Sequence, residues 1–391
     1  MVNLFNRACM LGRVLTCIVS ALFMLSCKEN APKPISLSSH VDTITVSVSK
    51  DPYMDIHKNL TLSKLVRLDR EPLVATVKDI RVLDDRILLV DETNRLFCYD
   101  MAGKLVYKID AQGNGPGEYN MISFCTVDIQ RNNLWIYDAM TAHLIRYDWN
   151  MGKFLDRKRI QGRLSDMAYI EGVRYYDNRS HSRNESDETL FYSLLASDEE
   201  SRIRDVYFHH DDSENMYEFS PSRKCFYHSG MYSLLYCKNF DDRVYSLSSD
   251  SVSPRYQFII PDWLEDEYIE RRMDIRELLK SDISYGLCDI FECDGVVSFR
   301  FFKKGLVYSG LYDLRQEKQI CCVPAILGNP ESSVPLISAI VGAYKSQFIS
   351  VLSPIYLDYQ KNKYPQLIDE LLPGYDAHED NPVIAFYSVN E

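Results

Sequence analysis

The chain of 391 residues contains no basic run, and its 56 acidic residues outnumber 44 lysines and arginines, a net charge of −12. Binding to nucleic acid rests on neutralising phosphates, so DNA and RNA are excluded as partners. No CxxC pair occurs, and no histidine stands near the closest cysteines, Cys288 with Cys293 and Cys321 with Cys322, which removes the zinc-site spacings. A nucleophile elbow, a zinc-protease HExxH and a P-loop are likewise missing. The apolar run from Val14 to Leu25 falls short of the roughly 20 residues that cross a bilayer as a helix.

What is present begins with an address. Arg7 and Arg13, with no acidic residue around them, precede that apolar run, which is the layout of an export signal. The run closes on Met24-Leu25-Ser26-Cys27, a small residue directly before a cysteine. This resembles a bacterial lipobox, although Met24 stands where leucine is usual. Cleavage before Cys27 gives a thiol and a new amino terminus to carry the several acyl chains that stable anchoring needs. An ordinary secretory signal with an incidental Cys27 is the alternative. Loss of residues 1–26 removes two arginines and no acid, taking the net charge from −12 to −14. Residues 27–40, polar and containing Pro32 and Pro34, form a tether, and residues 41–391 form the folded domain.

Of 11 cysteines, Cys9 and Cys17 leave with the signal and Cys27 takes the lipid, so eight remain in the body. Export permits disulfides. Strand-like settings such as Leu96-Phe97-Cys98-Tyr99 point instead to buried free thiols.

The dominant signal in the body is short β-type runs separated by Gly, Asn, Asp and Ser, with one internal repeat. Ile87-Leu88-Leu89-Val90-Asp91 leads past Asn94 to Leu96-Phe97-Cys98-Tyr99-Asp100 and then Gly103-Lys104-Leu105-Val106. Leu134-Trp135-Ile136-Tyr137-Asp138 leads likewise to Leu144-Ile145-Arg146-Tyr147-Asp148 and Gly152-Lys153-Phe154-Leu155. Asp91 and Asp138 lie 47 residues apart, Gly103 and Gly152 49. Each copy reads as an inner strand ending in an Asp that bonds its own turn, a returning strand, and a third begun at a glycine turn. Such a period lies between those of WD40 and kelch blades, and about six units fit the body, so the fold expected is all-β, a six-bladed β-propeller. Later strand candidates include Leu190–Leu195, Ser233–Cys237 with Arg243–Leu247, Val296–Phe301 with Leu306–Tyr308, and Phe348–Leu352.

Helical spacing of Leu264, Tyr268, Ile275 and Leu279 behind Asp262 predicts an inserted helix over 263–280. A second is expected over Pro365 to Leu372, ended by Pro373-Gly374. Residues 178–188 are polar and read as a loop. The run Val383 to Val389 is placed to close the ring by pairing with N-terminal sequence, either Thr43–Val48 or Leu65–Leu68, which removes an exposed sheet edge.

Gly113-Asn114-Gly115-Pro116-Gly117-Glu118-Tyr119 lies between the two repeat copies. With Leu62–Leu68 before the first blade and Glu379–Phe386 near the end, it resembles the six-bladed, NHL-like propeller lipoproteins of Bacteroidetes. The resemblance covers nearly all of residues 41–391 and implies a lipid-anchored outer-membrane propeller, in a family whose members mostly have no assigned activity. Read from the residues themselves, the glycines allow positive φ and close backbone packing, and Glu118 can bond exposed amides. As a binding rim this run nominates Gly115, Gly117, Glu118 and Tyr119; as punctuation it is a structural turn.

Other polar clusters each have a plain reading. His209-His210-Asp211-Asp212 offers imidazole with carboxylate, but neighbours on a strand point to opposite faces, and a solvated turn accounts for it. His378-Glu379-Asp380 reads as a calcium or acid/base group, or as a polar turn before Pro382. Asp84-Asp85, Asp211-Asp212 and Asp241-Asp242 suit turns. Aromatics, including 27 tyrosines, fill inter-blade cores or stack against sugars on a rim; Trp135 is expected in the core and Trp263 to be accessible.

Three functions follow. The first is a membrane-anchored binding propeller without catalysis and without a cofactor, serving a glycan near uptake machinery and facing the periplasm or the exterior. The second is a lactonase-like hydrolase with one Ca²⁺ on the axis, for which Asp91 and Asp138 begin a ring of carboxylates. The third is a protein-docking subunit. Replacing Cys27 with alanine is expected to abolish incorporation of labelled palmitate and to shift the protein from the detergent-extracted membrane fraction to the soluble one.

Overall fold

A computed structural model describes residues 33–36, 40–49, 59–160, 164–178, 191–198, 200–209, 222, 224–229, 233–265, 274–324 and 336–390. Two N-terminal strands, β1 (Asp42–Thr45) and β2 (Leu60–Arg67), are distributed to blades far along the chain. Blade 1 is β3 (Val77–Leu83), β4 (Arg86–Asp91), β5 (Leu96–Asp100) and β6 (Leu105–Ile109). Blade 2 is β7 (Phe124–Asp128), β8 (Asn133–Asp138), β9 (His143–Asp148) and β10 (Phe154–Arg159). Blade 3 is β11 (Leu164–Ile170), β12 (Val173–Asn178), β13 (Tyr192–Ser197) and β14 (Ile203–His209).

Blade 4 is β15 (Phe226–Ser229), β16 (Ser233–Cys237), β17 (Arg243–Leu247) and β18 (Val252–Ile259), with β1 added parallel to β18. Blade 5 is β19 (Ser284–Cys293), β20 (Val296–Lys303), β21 (Leu306–Asp313) and β22 (Lys318–Val323). Blade 6 combines β23 (Ile340–Tyr344), β24 (Gln347–Leu352) and β25 (Val383–Val389) with β2 outermost. Apart from the parallel β1 in blade 4, the strands of each sheet are antiparallel, and the six sheets together form a six-bladed β-propeller.

The cores lie between blades, because alternate strand residues point to opposite sheet faces and each face meets a neighbour. One cluster joins blade 6 to blade 1 through Ile349, Phe386, Ile87 and Phe97. Others join blades 1 and 2, 2 and 3, and 3 and 4 in turn, and a larger one spans blades 4 to 6. All eight body cysteines are buried free thiols.

The ring closes where expected: β2 pairs antiparallel with β25, Leu65 opposite Ala385, while the alternative Thr43–Val48 segment supplies β1 to blade 4 instead. A polar clip locks the closure. Buried Asn381 accepts from the Val74 amide at 2.7 Å and donates to the Asp69 carbonyl at 2.6 Å. Asp380 accepts from Arg70 Nε at 2.7 Å and Arg67 Nη2 at 3.1 Å. His378-Glu379-Asp380 is therefore a structural turn.

Three expectations need correction. The strand ending at Asp91 or Asp138 is second from the axis, and the innermost strands β3 and β7 precede it. Of the helix expected over 263–280, the described helical part is α1 (Ile275–Lys280), capped by Asp274. Asp262 has φ +54° and its carboxylate pairs with Lys303, and Trp263 bridges Ser284, so neither begins a helix; residues 266–273 lie outside the described residues. Before the expected second helix, α3 (Pro365–Leu371), stands an unforeseen one, α2 (Pro354–Lys363), begun by Ser353 and Pro354. Residues 179–190 and 210–212 also lie outside the described residues.

Gly310 of β21 pairs with Phe299 of β20, and the phenyl ring occupies the space where a Cβ would stand. Gly310→Ala is expected to lower stability by about 1–3 kcal/mol through overpacking, read from the urea midpoint at unchanged slope.

Candidate functional site

The GPGE loop connects β6 to β7 and satisfies itself. Glu118 Oε2 accepts from the Gly115 amide at 2.7 Å, and Tyr119, fully buried, donates to the Asn94 carbonyl at 2.9 Å. Close approach rather than positive φ favours glycine here: a Cβ would stand 3.0 Å from the Glu118 carboxyl carbon at Gly115 and 2.7 Å from the Phe154 ring at Gly117. Gly115, Gly117, Glu118 and Tyr119 thus stand together at the seam of blades 1 and 2. Two bonds link them to blade 2: Arg157 Nη1 donates to the Gly115 carbonyl at 3.0 Å, and the Tyr147 hydroxyl donates to the Gly117 carbonyl at 2.6 Å.

The repeated aspartates serve turns. Asp91 Oδ1 accepts from the Thr93 and Arg95 amides, each at 3.0 Å, and Asp138 accepts from the Met140 amide at 3.0 Å and the Asn120 amide at 2.9 Å. Among the described residues no group of three or more His, Cys, Asp or Glu side chains converges as a metal site would require, so the carboxylate ring expected for Ca²⁺ is not formed by them. His209 ends β14, exposed and edge-on to Tyr192 at 5.2 Å.

Near the axis the inner strands exchange charges across the ring. Lys224, just before β15 in blade 4, reaches blade 1 opposite, 2.6 Å from Asp79 Oδ1 and 3.1 Å from the Ile80 carbonyl. Arg81 lies 3.3 Å from Asp166 of blade 3, which also accepts from the Met167, Cys225 and Phe226 amides at 2.9, 2.9 and 3.2 Å. Burial pushes Asp166 up, against the pull of Arg81 and those amides. His228 keeps exposed surface inside the ring of protein; its enclosure and the charge of Arg81 lower it to about 4. This network ties blades 1, 3 and 4.

The seam of blades 2 and 3 is different. A cavity of about 520 Å³ is lined by Asp128, Arg131, Trp135, Arg146, Asp156 and Lys158 of blade 2 and by Tyr169, Arg174, Asp198, Glu200 and Ser201 of blade 3, among others. Strand pairing explains the blade 2 wall. Trp135 faces Arg146 across β8 and β9, and Arg146 faces Asp156 on β10, with which it forms an ion pair. Lys158 opposes Leu144, so it lies on the same face.

Trp135 is 7% exposed and Arg174 6%. The Arg174 guanidinium lies over the Trp135 ring at 5.1 Å and the Tyr169 ring at 5.0 Å, and Arg146 lies over Trp135 at 5.5 Å. Its Nη1 donates to the Tyr176 hydroxyl at 2.9 Å and the Ser201 hydroxyl at 2.6 Å, and its Nε donates to the Tyr169 hydroxyl. No described carboxylate pairs with it. The pocket's acids pair with other arginines: Asp128 with Arg131 at 2.9 Å, Asp198 and Glu200 with Arg202 at 2.8 and 3.1 Å.

Sequence reasoning placed Trp135 in the core but missed Arg174 and the cavity. The available signal was an arginine inside Val173-Arg174-Tyr175-Tyr176, a strand buried throughout.

With six small sheets arranged around one axis, the molecule falls in the class of six-bladed propellers. The chain belongs to the family described as Domain of unknown function (DUF4934), which matches residues 64–388. A Bacteroides fragilis protein assigned as exported is similar in structure, at 18% identity and TM-score 0.74, over 90% of this chain and 100% of that one. A member of the DUF4221 family from Bacteroides vulgatus, at 9% identity and TM-score 0.47, is covered over 99% of its length and matches 86% of this chain. BamB from Moraxella catarrhalis gives 12% identity and TM-score 0.36 over 67% of each chain. No curated protein matches. No helix among the described residues is long and apolar enough to cross a membrane.

The lowered His228 has a readable consequence. Unfolded chains take up its proton near the usual histidine value of about 6.5, whereas the folded protein resists until about 4, so stability falls as pH drops through that window. Protonation of the raised Asp166 acts in the opposite direction. His228→Gln is therefore expected to flatten the loss relative to wild type, measured by urea unfolding at several pH values.

Proposed function

We propose that this protein is an exported, lipid-anchored binding propeller of the NHL-like kind, held at the outer membrane through Cys27, that captures a soluble, glycan-derived ligand without chemistry. The observation that carries this reading is the seam pocket itself. Its volume of about 520 Å³ lies within the roughly 300–1,000 Å³ of small-molecule sites, and a charged residue forms part of its floor where the other seams carry apolar cores. A concave site of this kind suits a small ligand better than a docked protein surface. Its carboxylates sit in ion pairs, which supports binding over acid/base work.

Two guanidiniums, Arg146 and Arg174, already lie over the Trp135 ring, so recognition would rest on hydrogen bonds and charge rather than on stacking a sugar against the indole. The Gly115–Tyr119 loop supports the same wall from behind through Arg157. Export is supported by the Arg7–Leu25 segment, and anchoring by Ser26-Cys27, which lies outside the described residues.

The test is titration of the mature protein with oligosaccharides released from envelope and dietary polysaccharides, followed by tryptophan fluorescence and calorimetry. Saturable binding is expected, and Lys158→Trp, which fills the cavity from an exposed strand, is expected to weaken it by about tenfold or more. Binding untouched by Lys158→Trp would place the site elsewhere; release of product from the titrant would make the protein an enzyme.

A further inference from the structure

We infer that the seam pocket is an anion site, and that the ligand carries a carboxylate, sulfate or phosphate group received by Arg174 and Lys158. The inference rests on the pocket being the binding site and goes on to name the chemistry of what binds. Five N–H groups belong to a guanidinium. In Arg174 the one on Nε and the two on Nη1 are used by the Tyr169, Tyr176 and Ser201 hydroxyls, which leaves both hydrogens of Nη2 with no acceptor among the described residues. A cation 94% buried normally sits against a carboxylate, since an isolated buried charge is costly.

Here the surroundings are three neutral hydroxyls and three aromatic rings, which hold the guanidinium without neutralising it. The carboxylates that line the same cavity are taken by Arg131, Arg146 and Arg202. Lys158, exposed on β10, forms no ion pair among the described residues and stands on the face of blade 2 that looks to blade 3. The wall contains a second unmet donor: the buried indole N–H of Trp135 has no partner among the described residues. Positive charge without a counter-ion, fixed by rigid rings in a cavity sized for a sugar acid, is what recognition of an oxyanion requires.

Glucuronate, glucose 6-sulfate, glucose 6-phosphate, inorganic sulfate and inorganic phosphate distinguish the possible anions, with glucose and glucosamine as neutral and cationic counterparts. Calorimetry is expected to show at least one anionic sugar binding about tenfold or more tightly than glucose, as charge-assisted bonds would give. Its affinity is expected to fall as salt rises from about 50 to about 300 mM. Lys158→Glu, at an exposed position, is expected to weaken that binding about tenfold or more while leaving the unfolding midpoint in place. Arg174→Gln is expected to abolish it; should that variant fail to fold, Lys158→Glu carries the test alone.

Glucose binding as tightly as the anions, or glucosamine binding better, would overturn the anion assignment and leave the pocket as the site. Absence of binding by every anion at millimolar concentration would overturn it as well. If an oligosaccharide still bound in a manner sensitive to Lys158→Trp, the binding reading would survive that failure; if none did, both would fall.

Discussion

The fold depends on one antiparallel pairing that joins sequence positions more than three hundred residues apart, β2 against β25. Without it, the last blade would lack its outer strand and a long apolar edge would lie open, the condition that invites association with other chains. The chain reinforces the pairing with groups that cannot be satisfied otherwise: Asn381 reads the backbone between β2 and β3, and Asp380 gathers two arginines from that same segment. Every inter-blade core is sandwiched within the ring so formed, so closure is the shared condition for burial at all of the seams.

Given a closed ring, the seams become comparable, and the one between blades 2 and 3 stands apart. Five of them are filled mainly by Leu, Ile, Val, Tyr and Phe. In the sixth, a similar inner core of Phe124, Tyr137, Leu144 and Met167 gives way to Trp135, Arg174 and their charged neighbours. Placing arginine there costs desolvation that leucine would not incur, and the rings and hydroxyls recover only part of it. The axial network faces the same cost but meets it internally, with Asp79 and Asp166 opposite Lys224 and Arg81. The charges at the axis are neutralised within the fold, whereas that of Arg174 in the cavity meets no carboxylate among the described residues.

Much of the architecture was legible because its causes are local. Leu134-Trp135-Ile136-Tyr137-Asp138 announces a strand and its turn by alternation and by an Asp that bonds the next amides, and the spacing to Asp91 exposes the repeat. The closing strand was legible for a similar reason, from a run of apolar residues after Asn381-Pro382. The helix α2 was not, because Ile355 and Tyr359 face solvent while Leu357 and Gln360 are buried, and no apolar stripe forms at helical spacing. Nor was the pocket, since Trp135 and Arg174 meet only when two blades are set side by side. Asp262 misled because it resembles a helix cap, yet in the fold it serves a left-handed turn and an ion pair with Lys303. The GPGE run, readable as a rim or as a turn, packs sterically between β6 and β7, with Glu118 and Phe154 occupying the volume that side chains on its glycines would need.

The eight sealed thiols give the molecule a redox character that its strand pattern does not advertise. Burial drives Cys98 up to about 11 and Cys125 up to about 12, so the nucleophilic thiolate is scarcely populated while the blades stay shut. Half of the set, Cys288, Cys293, Cys321 and Cys322, sits in blade 5, and Cys225 and Cys237 lie beside it. In any oxidising compartment such a domain would be protected from wrong cross-links by packing rather than by chemistry, and a transient breathing of that side of the ring would expose several sulfhydryls at once, converting a reversible fluctuation into covalent damage.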